Sequence, residues 1–147
     1  MAAIPADFLW PRFPVGGLMD VPFKNTTSST SFTPGQLVKL DTSNPLSATQ
    51  QAAGMVLTAA VTDVPDGVVV QDTAASAYGT IQIGGLASVI VDAAGAITAG
   101  TILGPSGTVN GAVVTYTAGD PVVGKAWSTS VNTADFILAR LTLTNLN

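Results

Sequence analysis

Residues 97–116 read ITAGTILGPSGTVNGAVVTY. No helix fits here, because glycine or proline interrupts the chain every few residues. Ile97–Leu103 has the apolar and Thr content of a short strand, and Gly104-Pro-Ser-Gly107 turns the chain. Asn110-Gly111 then stands between Thr108-Val109 and Ala112–Tyr116, the pattern of a two-residue hairpin turn that needs positive φ.

The same rhythm extends in both directions. Upstream, Gln36–Asp41 alternates and ends in Thr42-Ser-Asn-Pro45. Met55–Thr62, Val68–Gln71, Tyr78–Ile83 and Ala87–Asp92 follow, separated by Asp63-Val-Pro-Asp-Gly67, Gly84-Gly85 and Ala94-Gly95. Downstream come Pro121–Trp127 and Asp135–Thr144. In the last of these, Phe136, Leu138, Arg140 and Thr142 share one face and Ile137, Ala139, Leu141 and Leu143 the other. Eight or nine short strands with turns at roughly ten-residue spacing predict an all-β fold, a small β-barrel or a sandwich. Pro45–Ala53 lacks strand character and is the one helix candidate. No repeat of constant period is visible.

The first third is different. Five of the nine aromatic residues, Phe8, Trp10, Phe13, Phe23 and Phe32, lie here, among Pro5, Pro11, Pro14 and Pro22. Asn25–Ser31 is a polar run; Asn25-Thr-Thr27 fits a glycosylation sequon but reads as linker. The expected organisation is an extended N-terminal arm and linker over residues 1–33 and a barrel over 34–147. Two readings of the arm are open: its aromatics cap the protein's own core, or Phe8, Trp10, Arg12, Phe13 and Phe23 dock on a partner, where aromatics and Arg dominate binding.

The chain has no His, Cys or Glu; its ionic residues are nine Asp and five Lys or Arg. That inventory offers no imidazole, no thiolate and no bidentate Glu for catalysis or a metal cage. Asp63, Asp66 and Asp72 lack the spacing of a calcium loop, and no glycine-rich loop leads into a Lys-Ser/Thr pair. The expectation is no catalytic residue, no cofactor and no metal. With net charge −4 and no basic cluster, nucleic-acid binding lacks its electrostatic footing. Apolar runs are too short for a membrane helix, and MAAIPADFLWPRF has no basic stretch and carries Asp7, unlike a secretory signal. Charged residues make up only 10% of the chain and mean hydropathy is +0.47, which leaves too little polar surface for a free monomer. Arg140, mid-strand among apolar neighbours, and Trp127 are candidate subunit contacts.

Asp66–Val70, Ala87–Val91, Gly95–Gly104, Gly119–Trp127 and Ala134–Leu141 together resemble the phage capsid decoration, or capsid cement, proteins, across about residues 54–143. The resemblance implies a β-tulip-like barrel that forms a homotrimer on the outer surface of an icosahedral virion. It implies a protein made in the host cytoplasm that clamps major capsid protein subunits, with an N-terminal arm that orders on the shell. The alternatives are a head-fibre or tail component, or a carbohydrate-binding β-sandwich using Trp127, Tyr78 and Tyr116. A hydrolase would need a close Asp pair, which no motif indicates.

Overall fold

The computed structural model describes residues 20–44, 52–92, 96–130 and 135–144. Among them are ten strands and no helix. They are β1 (Asp20–Asn25), β2 (Leu37–Leu40), β3 (Ala53–Leu57), β4 (Gly67–Val69), β5 (Tyr78–Gln82), β6 (Gly85–Ile90), β7 (Ile102–Pro105), β8 (Val113–Thr115), β9 (Val122–Ala126) and β10 (Phe136–Thr144). The fold is all-β. Ala53, the end of the helix candidate, opens β3; residues 45–51 lie outside the described residues.

The first five strands form a closed barrel in the order β1-β3-β2-β4-β5. Phe23, Phe32, Val38, Met55, Val69 and Ile81 fill it. The rings of Phe23 and Phe32 stack with centroids 6.0 Å apart. Gly79 pairs across from Phe23, and a Cβ there would come within 2.8 Å of the ring and closer still to Thr73.

This corrects the expected boundary at residue 34. β1 pairs with both β3 and β5, so the barrel begins at Asp20, inside the segment read as an arm. Pro22 is tolerated because β1 joins β3 only from Phe23 onward, so the proline lies where the strand is paired on one side. The polar run after it is tied down rather than loose. Asn25 is fully buried, donates to the carbonyls of Thr30 and Ala74, and accepts from the backbone and hydroxyl of Thr27.

The second sheet has the order β6-β10-β9-β7-β8, and a parallel bridge from Val91 to Val113 joins its two edges. Ala87, Val89, Leu103, Val113, Val123, Ala126, Ile137 and Ala139 form its core. The alternation expected along β10 is present, with Ile137, Ala139 and Leu141 buried and Phe136, Leu138, Arg140 and Thr142 exposed. The hairpin expected at Asn110-Gly111 joins β7 to β8 through a longer loop. Ser106 Oγ accepts the backbone N–H groups of Thr108 and Val109, Asn110-Gly111 closes a tight turn in which Ala112 N–H donates to Val109 O, and Gly111 also bonds to Leu37 and Thr58.

The two sheets repeat one topology. With the Val91–Val113 bridge counted, the second ring runs β6-β8-β7-β9-β10, the order of the first barrel with each strand advanced by five. The register agrees pair by pair. The parallel contact Asn25–Met55 corresponds to Val91–Val113, Leu37–Val68 to Ile102–Lys125, and Val38–Leu57 to Leu103–Thr115. Likewise Val69–Ile81 corresponds to Ala126–Ala139, and Lys24–Tyr78 to Ile90–Phe136. Even the isolated bridges Phe32–Thr73 and Ile97–Ser130 match. Phe32-Thr-Pro-Gly-Gln-Leu-Val38 is thus the counterpart of Ile97-Thr-Ala-Gly-Thr-Ile-Leu103, with Gly35 at φ 91° and Gly100 at φ 94°. The described residues form two copies of one five-stranded unit.

The units share a core. Leu37 and Val68 point outward from the first barrel and join the apolar cluster of the second unit. Phe136 and Ile90 cover Gly35, leaving no room for a side chain there. Ile90 N–H donates to Gly35 O, Leu37 N–H to Gly111 O, and Gly111 N–H to Thr58 O.

Candidate functional site

The outward face of the second sheet gathers the side chains most suited to contact. Register sets them in rows. Leu86, Arg140, Lys125 and Ile102 lie side by side on β6, β10, β9 and β7. In the adjoining row Leu138 faces Ser88, and Trp127 N–H donates to Leu138 O at 2.7 Å. Phe136 follows further along β10. Trp127 and Phe136 are more than half exposed, and Leu86, Ile102 and Leu138 are also exposed. The inward residues of the same strands fill the core, so strict alternation forces this apolar set outward.

Arg140 and Lys125 stand directly opposite each other, a like-charge pair that costs stability in an isolated sheet. Neither makes a salt bridge among the described residues. The face therefore presents aromatic and aliphatic surface around two adjacent cations, a composition suited to binding a surface that carries a carboxylate. The structure thus brings Trp127 and Arg140, the two candidate subunit contacts, onto one face.

Phe23 does not belong with the candidate anchors. It is fully buried inside the first barrel, so it cannot dock on a partner; the two-residue alternation of β1 turns Phe23 inward together with Asn25. Phe8, Trp10, Arg12 and Phe13 lie outside the described residues.

Two of the three carboxylates weighed for calcium, Asp63 and Asp66, are engaged in structure, and the third, Asp72, is exposed. Asp63 accepts from the backbone of Ala59 and Ala60 and pairs with Lys39 Nζ at 2.6 Å. Burial works against its charge, but these donors outweigh it and hold the carboxyl below its ordinary value. Asp66 accepts the Leu40 N–H. Asp41 is also held low, first by the Thr26 hydroxyl and then by Asn44, while it caps the turn at Ser43. No group of three or more His, Cys, Asp or Glu placed to hold a metal occurs among the described residues.

No protein-family model matches the chain, and no curated sequence matches it. Among solved structures it is similar to the N-terminal base of the head fiber protein gp8.5 of bacteriophage phi29. The two are 20% identical, with a TM-score of 0.57 over 88% of this chain and 99% of that one. At that identity the likeness is one of fold. It spans both five-stranded units rather than the second alone, whereas the sequence resemblance to cement proteins begins only near residue 54.

Proposed function

We propose that this protein is a structural component of a phage head, held on the outer surface of the capsid by contact with the major capsid protein. The observation that carries the reading is that the two-unit fold extends over 99% of a head-fiber base from another phage. The apolar face of the second sheet and the absence of His, Cys and Glu from the chain support a binding rather than a catalytic role. Phe8, Trp10, Arg12 and Phe13, ahead of β1, are the residues that contact the shell, and the assembled form is a homotrimer.

Two versions of this role differ in copy number. A cement protein occupies sites across the whole lattice and raises shell stability. A fiber base sits at a subset of sites and carries further structure outward. The fold likeness favours the fiber base. The test is to mix the full chain with purified capsids that lack it, sediment the shells, and count bound chains per capsid. The expected result is saturable co-sedimentation at a fixed ratio. Failure to bind capsids of the phage that encodes it, at micromolar concentration, overturns the proposal.

A further inference from the structure

We propose that the outward face of the second unit is a docking site for the first unit of another copy of this chain. The proposal rests on the internal duplication and not on the head-protein reading. Within one chain, the second unit covers a defined face of the first, made by Gly35, Leu37, Val68 and Gln82. Leu37 is 0%, Val68 1% and Gln82 7% exposed. Their counterparts in the second unit are Gly100, Ile102, Lys125 and Arg140, and that face is uncovered. Ile102 is 47% exposed, and a Cβ on Gly100 would meet nothing within 4 Å, whereas one on Gly35 would strike Phe136 at 2.7 Å. The same fold, with the same glycine turn at the same φ, is capped once and left open once.

The covering edge also has a free counterpart. In the intact junction Phe136 and Ile90 lie over Gly35. Their equivalents in the first unit, Tyr78 and Lys24, are left outside the junction, with the Lys24 ammonium 5.6 Å from the centre of an exposed Tyr78 ring. The second unit thus carries an open socket, and the first an unused edge of the kind that fills it.

Charge favours the same occupant. In the junction Gln82 Nε2 donates to Leu86 O at 2.7 Å. The counterpart of Gln82 is Arg140, and the counterpart of Leu86 is Asp20, an exposed acid at the start of β1. A second copy docked in the manner of the internal junction brings Asp20 to Arg140. This supplies an anion to the Arg140–Lys125 couple, which has no salt bridge among the described residues. Socket and edge are different surfaces, so the contact is head-to-tail, closing into a ring or running on as a filament.

Light scattering on the full chain, without capsids, tests this. The unaltered protein is expected to form a multimer at micromolar concentration. Ile102→Asp spoils the socket and Tyr78→Asp spoils the edge; each is expected to weaken association about a hundredfold and leave single chains. Both positions are exposed, so unchanged thermal midpoints will show that the variants fold. Each variant retains the surface that the other lacks, so an equimolar mixture is expected to give a dimer that grows no further. A wild-type chain that stays monomeric at 100 times that concentration overturns the proposal. So does a multimer insensitive to Ile102→Asp, or one lost with Ile102→Asp but kept with Tyr78→Asp, which marks symmetric face-to-face pairing. A mixture that stays monomeric overturns it as well.

Discussion

At two equivalent corners the units hold the same hydrogen bond with its partners exchanged. In the first, the Thr26 hydroxyl donates to Asp41, and Asp41 caps the turn at Ser43. In the second, the Ser106 hydroxyl donates to Asp92, and Ser106 caps the turn at Thr108 and Val109. One hydroxyl and one carboxylate satisfy the corner in either order, because each turn needs an acceptor and each strand end needs a partner for it. Asp92 and Ser106 are both buried, so Ser106→Asp places two carboxylates together out of water. That single change is expected to cost about 3 kcal/mol, and adding Asp92→Thr, which recreates the first unit's corner, is expected to recover most of it. A double-mutant cycle by chemical denaturation measures the coupling; additive effects refute the exchange.

Asp63 gives a pH dependence with a definite sign. Its carboxyl is held below the ordinary value, so the folded chain binds its proton less readily than the unfolded one. The stability it contributes is fully present above the ordinary carboxylate value of about 3.9 and is lost as pH falls through the lower folded value. Thermal midpoints of the wild type and Asp63→Asn should differ by a constant amount above about pH 5 and converge below about pH 4. A gap that is independent of pH down to strong acid would falsify the linkage.

Among the elements, β1 decides where the protein can be cut. Deleting residues 1–19 leaves all ten described strands and is expected to give a cooperatively folded chain. Deleting residues 1–24 removes Phe23 from the core and opens the barrel between β3 and β5, and is expected to abolish folding. Circular dichroism melts of the two truncations separate them; equal stability would mean that β1 is dispensable. At β9, a Cβ on Gly124 would collide with the Arg140 carbonyl, whereas at the equivalent Gly67 the clash is with the Ile81 side chain, which can turn aside. Gly124→Ala should therefore destabilise more than Gly67→Ala, by about 1–3 kcal/mol. Denaturant midpoints giving the reverse order count against this placement of β9.

At the scale of the molecule, the shared cluster makes the units interdependent. Leu37 and Val68 belong to the first barrel's strands but pack in the second unit's core. Separating the units exposes both, together with Gln82. Unfolding is expected to be one transition, with calorimetric and van't Hoff enthalpies equal. Two resolved transitions would show that the junction is weaker than either core.

The sequence by itself determined the fold class, the positions of most strands and the face pattern of β10, because these follow from local turn chemistry and two-residue alternation. It also drew attention to Trp127 and Arg140, which the structure places on one exposed face of the second sheet. It placed β1 in an arm, because Pro22 and the polar run after Asn25 mimic a linker; only the pairing to β3 and β5 reveals a strand. It hid the duplication for a similar reason. Each unit needs its volumes, turns and hydrogen bonds filled, but Phe23 facing Gly79 serves in one where Val89 facing Ile137 serves in the other, and a Thr–Asp corner serves where an Asp–Ser corner does. Packing constrains sums over neighbours rather than single residues, so the repeat survives in register and burial while the residue-by-residue likeness fades. Which equivalent face is covered and which is open is a property of the assembled chain alone, because it depends on where the second unit comes to rest on the first.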